Sequence, residues 1–568
     1  MSLVTEEVVA TDVLVVGGGG AAARAALSAT EAGAEVRLAV KGRWLASGST
    51  ATAFSELLAI AAAMGEEDPR DNPAVHFEDT LRAGRGFVDP RLVRTLAEEA
   101  PARVRDLIAL GLRLDRRPDG RLRQARSDFA TYPRVLRADG VTARNLLRTL
   151  ARELSRRAVP VDEEVMVTRL LVDERGLAGA VAYDLKARRW VTYRTRALIL
   201  ATGGPHALWR HHVGTRDMTG DGYAMALEAA CSLVNMEFVQ IGPAVIYPRV
   251  ILLSGPVWKV HPTLERHDGR SLWADLPPGL DPRVVMDQKA FPYTVSNLSR
   301  HLDQLMAQAA ETVPSPHGGV WMSLPAGSAE TAEALMPKTL RMFRANGLDP
   351  FRRPLEVGLV AQCLNGGVLM ENADAATALD GLFVAGEVAG GVRGPDRPGG
   401  NSLAEGQVFG HRAGLAASRH ARLAGPPPVA AAPVPPMPQD AGAVPASEAM
   451  ATLRDAMTHH CLVMRHAEGL ERALEIVDRL DAATQKGALT AADPAEWWTL
   501  KHMLTVARAV LTAAYTRRES RSGHYRTDYP ERDDLHWTKS VRIRLRNNAL
   551  AVEDLHWPME NPSKDDAS

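Results

Sequence analysis

Gly17-x-Gly19-x-x-Ala22 lies between an apolar run, "DVLVV", and a small-residue stretch, "AAARAALSATEAG". Between strand and helix, this spacing serves the holding of a dinucleotide pyrophosphate. Gly17 makes the turn, Gly19 lets the backbone approach the phosphates, and a small residue at 22 lets helix and strand pack. The helix N-terminus then presents free N–H groups and a partial positive charge to the anion. The next strand ends "VRLAVKG", with no acid near Val40 to bind a ribose, which argues against an NAD site. Residues 381–414, "GLFVAGEVAGGVRGPDRPGGNSLAEGQVFGHRAG", hold a second cradle. There Glu387 follows an apolar strand, placed to accept from a ribitol or ribose hydroxyl. Asn401 and Ser402 open a helix whose dipole would stabilise negative charge on the N1–C2=O edge of a flavin. Cys363, in "GLVAQCLNGGVLMEN", could be a reactive thiol, a metal ligand or a bystander; no histidine near it in sequence activates a thiolate.

The elements that must position these groups follow from pattern and composition. A chain of 568 residues exceeds one ordinary core, so several domains are expected. A formal net charge of −1 gives no electrostatic reason for nucleic acid or an anionic membrane as partner. The acidic N-terminus lacks a signal-peptide pattern, and no apolar run is long enough to span a bilayer, so no direct membrane insertion is expected. Three dispersed cysteines exclude a disulfide framework and a zinc site and point to a reducing compartment, the cytoplasm. The Arg-rich "LRLDRRPDGRLRQARSD" is interleaved with acids and turn residues, as on a solvated surface.

"DVLVV" and "AEVRLAV" read as strands, residues 75–160 as largely helical, and 163–203 as β through "VMVTRLLVD", "LAGAVAYD", "WVTYR" and "ALILATGG". Residues 242–352 are an irregular insertion, and 423–447 a proline-rich extended linker. Amphipathic helices follow, one opening with Asp493 as N-cap and Pro494 at the first helical position. The expected layout is an α/β, Rossmann-like nucleotide domain (1–241 and 353–422), the insertion 242–352, the linker 423–447, and a C-terminal helical bundle with tail (448–568).

Taken in order, "DVLVVGGGGAAARAA", "KGRWLASGSTATA", "HFEDTLRAGRGFVDPRLVRTLAEEAPARVRDLIALG", "MTGDGYAMALEAAC", "NMEFVQ", "GLFVAGE", "GGNSLAEGQVFGHRAG" and "RRESRSGHYRTDYPERDDLHW" resemble the flavoprotein subunits of succinate dehydrogenase and fumarate reductase, with L-aspartate oxidase nearest. The resemblance covers nearly the whole chain. It implies FAD, an α+β capping domain inserted in the FAD domain, and hydride transfer between a substrate carbon and flavin N5. By position, Gly17, Gly19, Gly20, Ala22, Lys41, Gly42, Ser49, Thr50, Ala201, Thr202, Gly203, Asp221, Glu387, Asn401, Ser402 and Leu403 would hold FAD. Members joined covalently to FAD use a histidine near "ASGSTATA"; none is present, so non-covalent FAD is expected.

The substrate positions depart from the family. Its Gln-Phe-His-Pro-Thr reads "QIGPA", with Gly242 for the histidine, and its Thr/Ser-Glu pair reads Ser254-Gly255. The proton-donating arginine aligns with Val295, or with Tyr293 after a two-residue shift. Gln362 replaces a second carboxylate-binding histidine, Cys363 falls in a neighbouring loop slot, and Arg397 alone of the dicarboxylate grip survives. The expected catalytic set is therefore Arg397, Gln362, Tyr293 and His261, with Gln240, Ser254 and Lys259 as further polar lining. These residues point to oxidation of a small carboxylate-bearing metabolite at an amine or hydroxyl carbon. Oxygen, a quinone or a ferredoxin would take the electrons. The alternative is a catalytically silent, electron-relay flavoprotein.

Overall fold

The structure is a computed structural model that describes residues 6–55, 58–289, 291–427, 432–434, 444–547 and 549–557. Its centre is a five-stranded parallel sheet in the order Leu382–Val384, Ala197–Leu200, Val13–Val16, Val36–Val40, Val161–Glu163. Val13, Leu14 and Val15 are wholly buried, as a strand covered on both faces requires, each contributing about 1.5–3 kcal/mol. The fingerprint helix spans Gly20–Glu31 and packs against the long helix Asn401–Ala424. Small residues make that contact possible: a Cβ on Gly410 would lie 2.8 Å from Ala21 O, and one on Gly414 only 2.4 Å from Ala25 O. Both helices begin at the carboxyl ends of the parallel strands, so their N-termini share one side of the sheet.

Strands Val165–Asp173, Gly176–Asp184 and Arg189–Arg194 form a second sheet, joined by Glu7–Ala10. The expectation of helix over 75–160 holds for Pro73–Gly84, Pro90–Ala109 and Thr142–Arg156. Between them, short pairs Gln124–Ala125 and Val135–Leu136 join Ile60–Ala61, and the Arg-rich stretch lies mostly on the surface.

The insertion is more regular than its composition suggests. An antiparallel sheet runs Ile251–Leu252, Val239–Val245, Leu355–Leu364, Val320–Ser323, Thr263–Glu265, with helices such as Arg300–Thr312 and Pro337–Ala345 around it. Of its two long strands, Val239–Val245 crosses the expected edge at 241/242, and Leu355–Leu364 lies beyond the expected edge at 352/353, so the inserted sheet reaches past both. The register of these strands pairs Gln240 with Cys363 and Ile241 with Ala361, which leaves Gln362 as a bulge without a partner.

Beyond the central helix come helices Ala446–Cys461, Ala467–Gln485 and Pro494–Thr516, the last capped by the Asp493 side chain, which accepts from Glu496 N at 2.9 Å. Most of the linker, 428–431 and 435–443, and the end of the tail, 558–568, lie outside the described residues. The tail is not helical throughout: Ser540–Arg546 and Ala549–Leu555 pair with each other, and the former also pairs with Leu233–Val234. A buried ionic chain fastens this end, with Arg517 on Glu237 at 2.7 Å and Glu519 between Arg517 and Arg521, all fully buried side chains. Removing one member of such a chain costs about 3–5 kcal/mol, because its partner is left charged and dry.

Candidate active site

A cavity of about 730 Å³ opens at the carboxyl ends of Val13–Val16, Val36–Val40 and Ala197–Leu200 and reaches the inserted sheet. Ligand crevices of parallel α/β sheets form there. Gly17, Gly19, Gly20, Lys41, Gly42, Ser49, Thr50, Ala201, Thr202, Gly203, Asp221, Glu387, Ser402 and Leu403 all line it.

The glycines divide the work. Gly17 has φ +129°, and a Cβ there would sit 2.1 Å from Ala201 O, so it is a turn and packing glycine. A Cβ on Gly19 would meet only Thr50 Oγ1, at 3.3 Å, and the rest of its surroundings is open. Ala22 is wholly buried in the helix–sheet core and does not line the cavity, so its part is packing alone. Asn401 is also turned away. Its Oδ1 lies 2.9 Å from His76 Nε2 and its Nδ2 donates to Thr80 Oγ1 at 3.1 Å, since the first turn of its helix is packed against Pro73–Gly84.

Lys41 and Asp221 are partners. Lys41 Nζ donates to Asp221 Oδ2 (2.9 Å), Thr219 Oγ1 (2.6 Å) and Thr499 Oγ1 (3.0 Å), and His502 Nδ1 stands 3.0 Å from Asp221 Oδ1. Burial alone would raise the Asp221 carboxyl, but Lys41 and His502 hold it well below the usual carboxylate range. This group ties the nucleotide half to the helix Pro494–Thr516. Glu387 accepts from Leu364 N at 3.1 Å, and His206 Nε2 stands 3.0 and 3.1 Å from its two oxygens. Against the opposing effect of burial, His206 and Arg393 keep that carboxyl below its ordinary value. Arg393, itself buried, lies 3.1 Å from Glu405 and donates to Leu364 O and Ala389 O. Burial pushes Glu405 up to about 7 despite the cations beside it. His206, Arg393 and Glu405 were missed by sequence reasoning. A histidine just after "TGGP" and a second arginine in "GGVRGPDR" were the available signals.

These residues fit FAD. One glycine leaves room for a phosphate, and two helix N-termini open on the cavity. Thr202 Oγ1 is buried with no hydrogen-bond partner among the described residues.

At the other end, Arg397 Nη2 donates to Gln240 Oε1 and Nη1 to Pro398 O, both at 3.0 Å, while Nε has no such partner among the described residues. Gln362, aimed by its bulge, lines the same cavity with its buried Oε1 likewise unpartnered. Ser254 also lines it; Gln240 is buried behind Arg397. Cys363 donates its thiol to Gln240 Oε1 at 2.9 Å, and burial pushes that thiol up to about 11, so it is no thiolate. Among the described residues no group of His, Cys, Asp and Glu could hold a metal ion, and no helix is long and apolar enough to cross a membrane.

Two expected catalytic residues are corrected. Tyr293 is buried outside the cavity, its hydroxyl accepting from Gln304 Nε2 at 3.2 Å, and burial pushes its phenol far up. His261 is on the outer side of the insertion, 2.9 Å from Asp287 Oδ1, and Lys259 donates to Asp287 O beside it. Val295 does not line the cavity either; Phe291 and Pro292 do. At Gly242 a Cβ would fall 2.2 Å from Phe291 Cε2, so the ring occupies the space a side chain there would need. At Gly255 a Cβ would meet nothing within 4 Å.

Comparison with known proteins agrees with this geometry. Residues 12–403 match the FAD binding domain family, and residues 450–564 match the fumarate reductase flavoprotein C-terminal family. The chain is 32% identical over 555 residues to a subunit of the fumarate reductase (CoM/CoB) of Methanothermobacter marburgensis, covering 95% of this chain and 98% of that one. It is 33% identical over 519 residues to L-aspartate oxidase of Caulobacter vibrioides, covering 90% and 92%. Among solved structures, Mycobacterium smegmatis Sdh1 in complex with UQ1 superposes with a TM-score of 0.84 at 28% identity, covering 97% and 95%. The chain belongs to the succinate dehydrogenase and fumarate reductase flavoprotein family and is an oxidoreductase whose cofactor is FAD.

Proposed function

We propose that this enzyme oxidises a small carboxylate-bearing metabolite at an amine or hydroxyl carbon next to the carboxylate. The observation that carries this reading is the presence, in one cavity, of the Arg397 cation and of the Gln362 amide, which its bulge leaves out of strand pairing. An anion satisfies the first and an N–H or O–H donor the second. Bound FAD would supply the acceptor for a hydride from the substrate carbon. The residues that would hold it are those lining the nucleotide half, Gly19, Thr202, Glu387 and Ser402 foremost. Arg397 fixes the carboxylate, and Gln240 holds the guanidinium in place. Gln362 orients the amine or hydroxyl, whose proton passes to solvent water or to Asp128, a carboxylate lining the cavity within electrostatic reach of Arg397. Gly242 and Gly255 supply no second anchor for a C4 dicarboxylate. The electrons leave to oxygen, a quinone or a ferredoxin-type protein.

The test is anaerobic mixing of the purified yellow protein with 2-amino acids, 2-hydroxy acids, succinate and L-aspartate, and of its reduced form with fumarate. Bleaching by a 2-amino or 2-hydroxy acid, with the C4 compounds slower by orders of magnitude, is the expected result. Rapid turnover of a C4 dicarboxylate would overturn the reading, as would reduction by a protein donor and by no small molecule.

A further inference from the structure

We infer that the acid taken by this site is a monocarboxylate bearing an apolar, ring-sized group, which seats against Phe291 while the carboxylate rests on Arg397. The inference relies on the proposed role of Arg397 and adds the chemistry of the substrate's other end.

Phe291 is fixed relative to Arg397 through one strand. Gln240, which accepts from Arg397, and Gly242, whose missing side chain makes room for the Phe291 ring, are two residues apart on Val239–Val245. That separation is roughly 7 Å. Tyr293 N donates to Ile241 O at 2.8 Å, so the segment carrying Phe291 runs beside the same strand. Phe291 and Arg397, held to neighbouring positions of this strand, line one cavity and offer an apolar face and a cation to the two ends of one small molecule. The rest of the wall given by the insertion agrees: Ile246, Ile251, Leu252, Pro292 and Met342 line the cavity there. Arg216 and Arg249 also line it but are exposed to solvent, so they offer a second carboxylate little beyond what water does. Glycine at 242 and phenylalanine at 291 form a matched pair, since any larger residue at 242 displaces the ring.

Burying a phenyl-sized group against this wall should tighten binding about 10- to 100-fold over an acid without one. The test is isothermal titration of the FAD-loaded protein with acetate, phenylacetate and succinate, in wild type and in Phe291→Ala, Phe291→Leu and Arg397→Leu. Phenylacetate should bind at least 10-fold tighter than acetate or succinate. Phe291→Ala should remove most of that preference and leave acetate unchanged, and Phe291→Leu should keep part of it. Equal binding of acetate and phenylacetate, or tightest binding of succinate, overturns the inference and leaves the role of Arg397 standing. Binding that survives Arg397→Leu, or no carboxylate binding at all, overturns the underlying reading instead. Should Phe291→Ala fail to fold, the wild-type ranking and the leucine variant decide.

Discussion

Replacing Arg397 by Leu removes the cation with little damage elsewhere. Arg397 gives the protein two hydrogen bonds of 3.0 Å, and its Nε gives none. Without it, Gln240 Oε1 still accepts from the Cys363 thiol at 2.9 Å, so no newly orphaned acceptor is left on that side chain. The loss of two modest contacts should cost the fold about 1–3 kcal/mol. For the substrate, one charge-assisted hydrogen bond is worth about 1.5–3 kcal/mol, or roughly 10- to 150-fold in binding. A carboxylate gripped by two guanidinium donors sits at the upper end. The second-order rate of substrate-driven flavin bleaching should therefore fall by about 100-fold or more, with FAD content unchanged. Arg397→Lys should fall between, keeping charge but losing the planar fork. Anaerobic stopped-flow absorbance across a range of substrate concentrations measures this. A leucine variant that bleaches at the normal rate would refute the reasoning; one purified without flavin would place Arg397 among the cofactor-holding groups.

Gly17→Ala should disrupt the fold, since its Cβ falls 2.1 Å from Ala201 O, whereas Gly19→Val should fold, melt like the apoprotein and bind no FAD; normal FAD content in the latter would move the phosphate loop elsewhere. Acid precipitation should leave the flavin in the supernatant, because "ASGSTATA" offers no histidine tether, and a yellow pellet would contradict this. Asp221→Asn should lower the unfolding free energy at pH 7 by about 3–5 kcal/mol in urea titrations. Asp221 is held below its unfolded value, so its contribution is complete above about pH 4 and fades as pH falls further; a deficit independent of acidification would rule out charge as its source. Cys363 should resist iodoacetamide at pH 8 and react only toward pH 11, followed by mass spectrometry of its peptide; fast alkylation at pH 8 would mean the thiol is not held in its neutral form.

The nucleotide half was legible because its signals are local. Gly17 and Gly19 sit within one strand–turn–helix unit, and each residue's place follows from its neighbours. The C-terminal helices were legible for the same reason, through Asp493 and Pro494. The substrate half was not. Tyr293 rests on a shifted alignment with the family's arginine and His261 on being a polar residue of the insertion, yet the insertion turns Phe291 and Pro292 toward the cavity. The bulge that frees Gln362 depends on pairing with a strand more than a hundred residues earlier. Asn401 shows the limit within a clear motif: its backbone opens the helix as expected, while its side chain satisfies His76 and Thr80 behind it. The hairpin Ser540–Arg546 with Ala549–Leu555 was hidden because a half-exposed, Arg-rich strand lacks a clean alternation.

The strands Val239–Val245 and Leu355–Leu364 tether the insertion to the nucleotide half, and they also carry Gln240, Gly242, Gln362 and Cys363. A tether that doubles as a wall acts as a lever. Any tilt of the insertion swings Gln240, and Gln240 is hooked to Arg397 on the opposite side, so the angle of the insertion and the aim of the guanidinium change together. For protein engineering this makes the ribbon and the Phe291–Pro292 segment a cassette. Exchanging it should retune which acid is accepted while the redox half, anchored separately by Lys41, Asp221 and His502, keeps its footing.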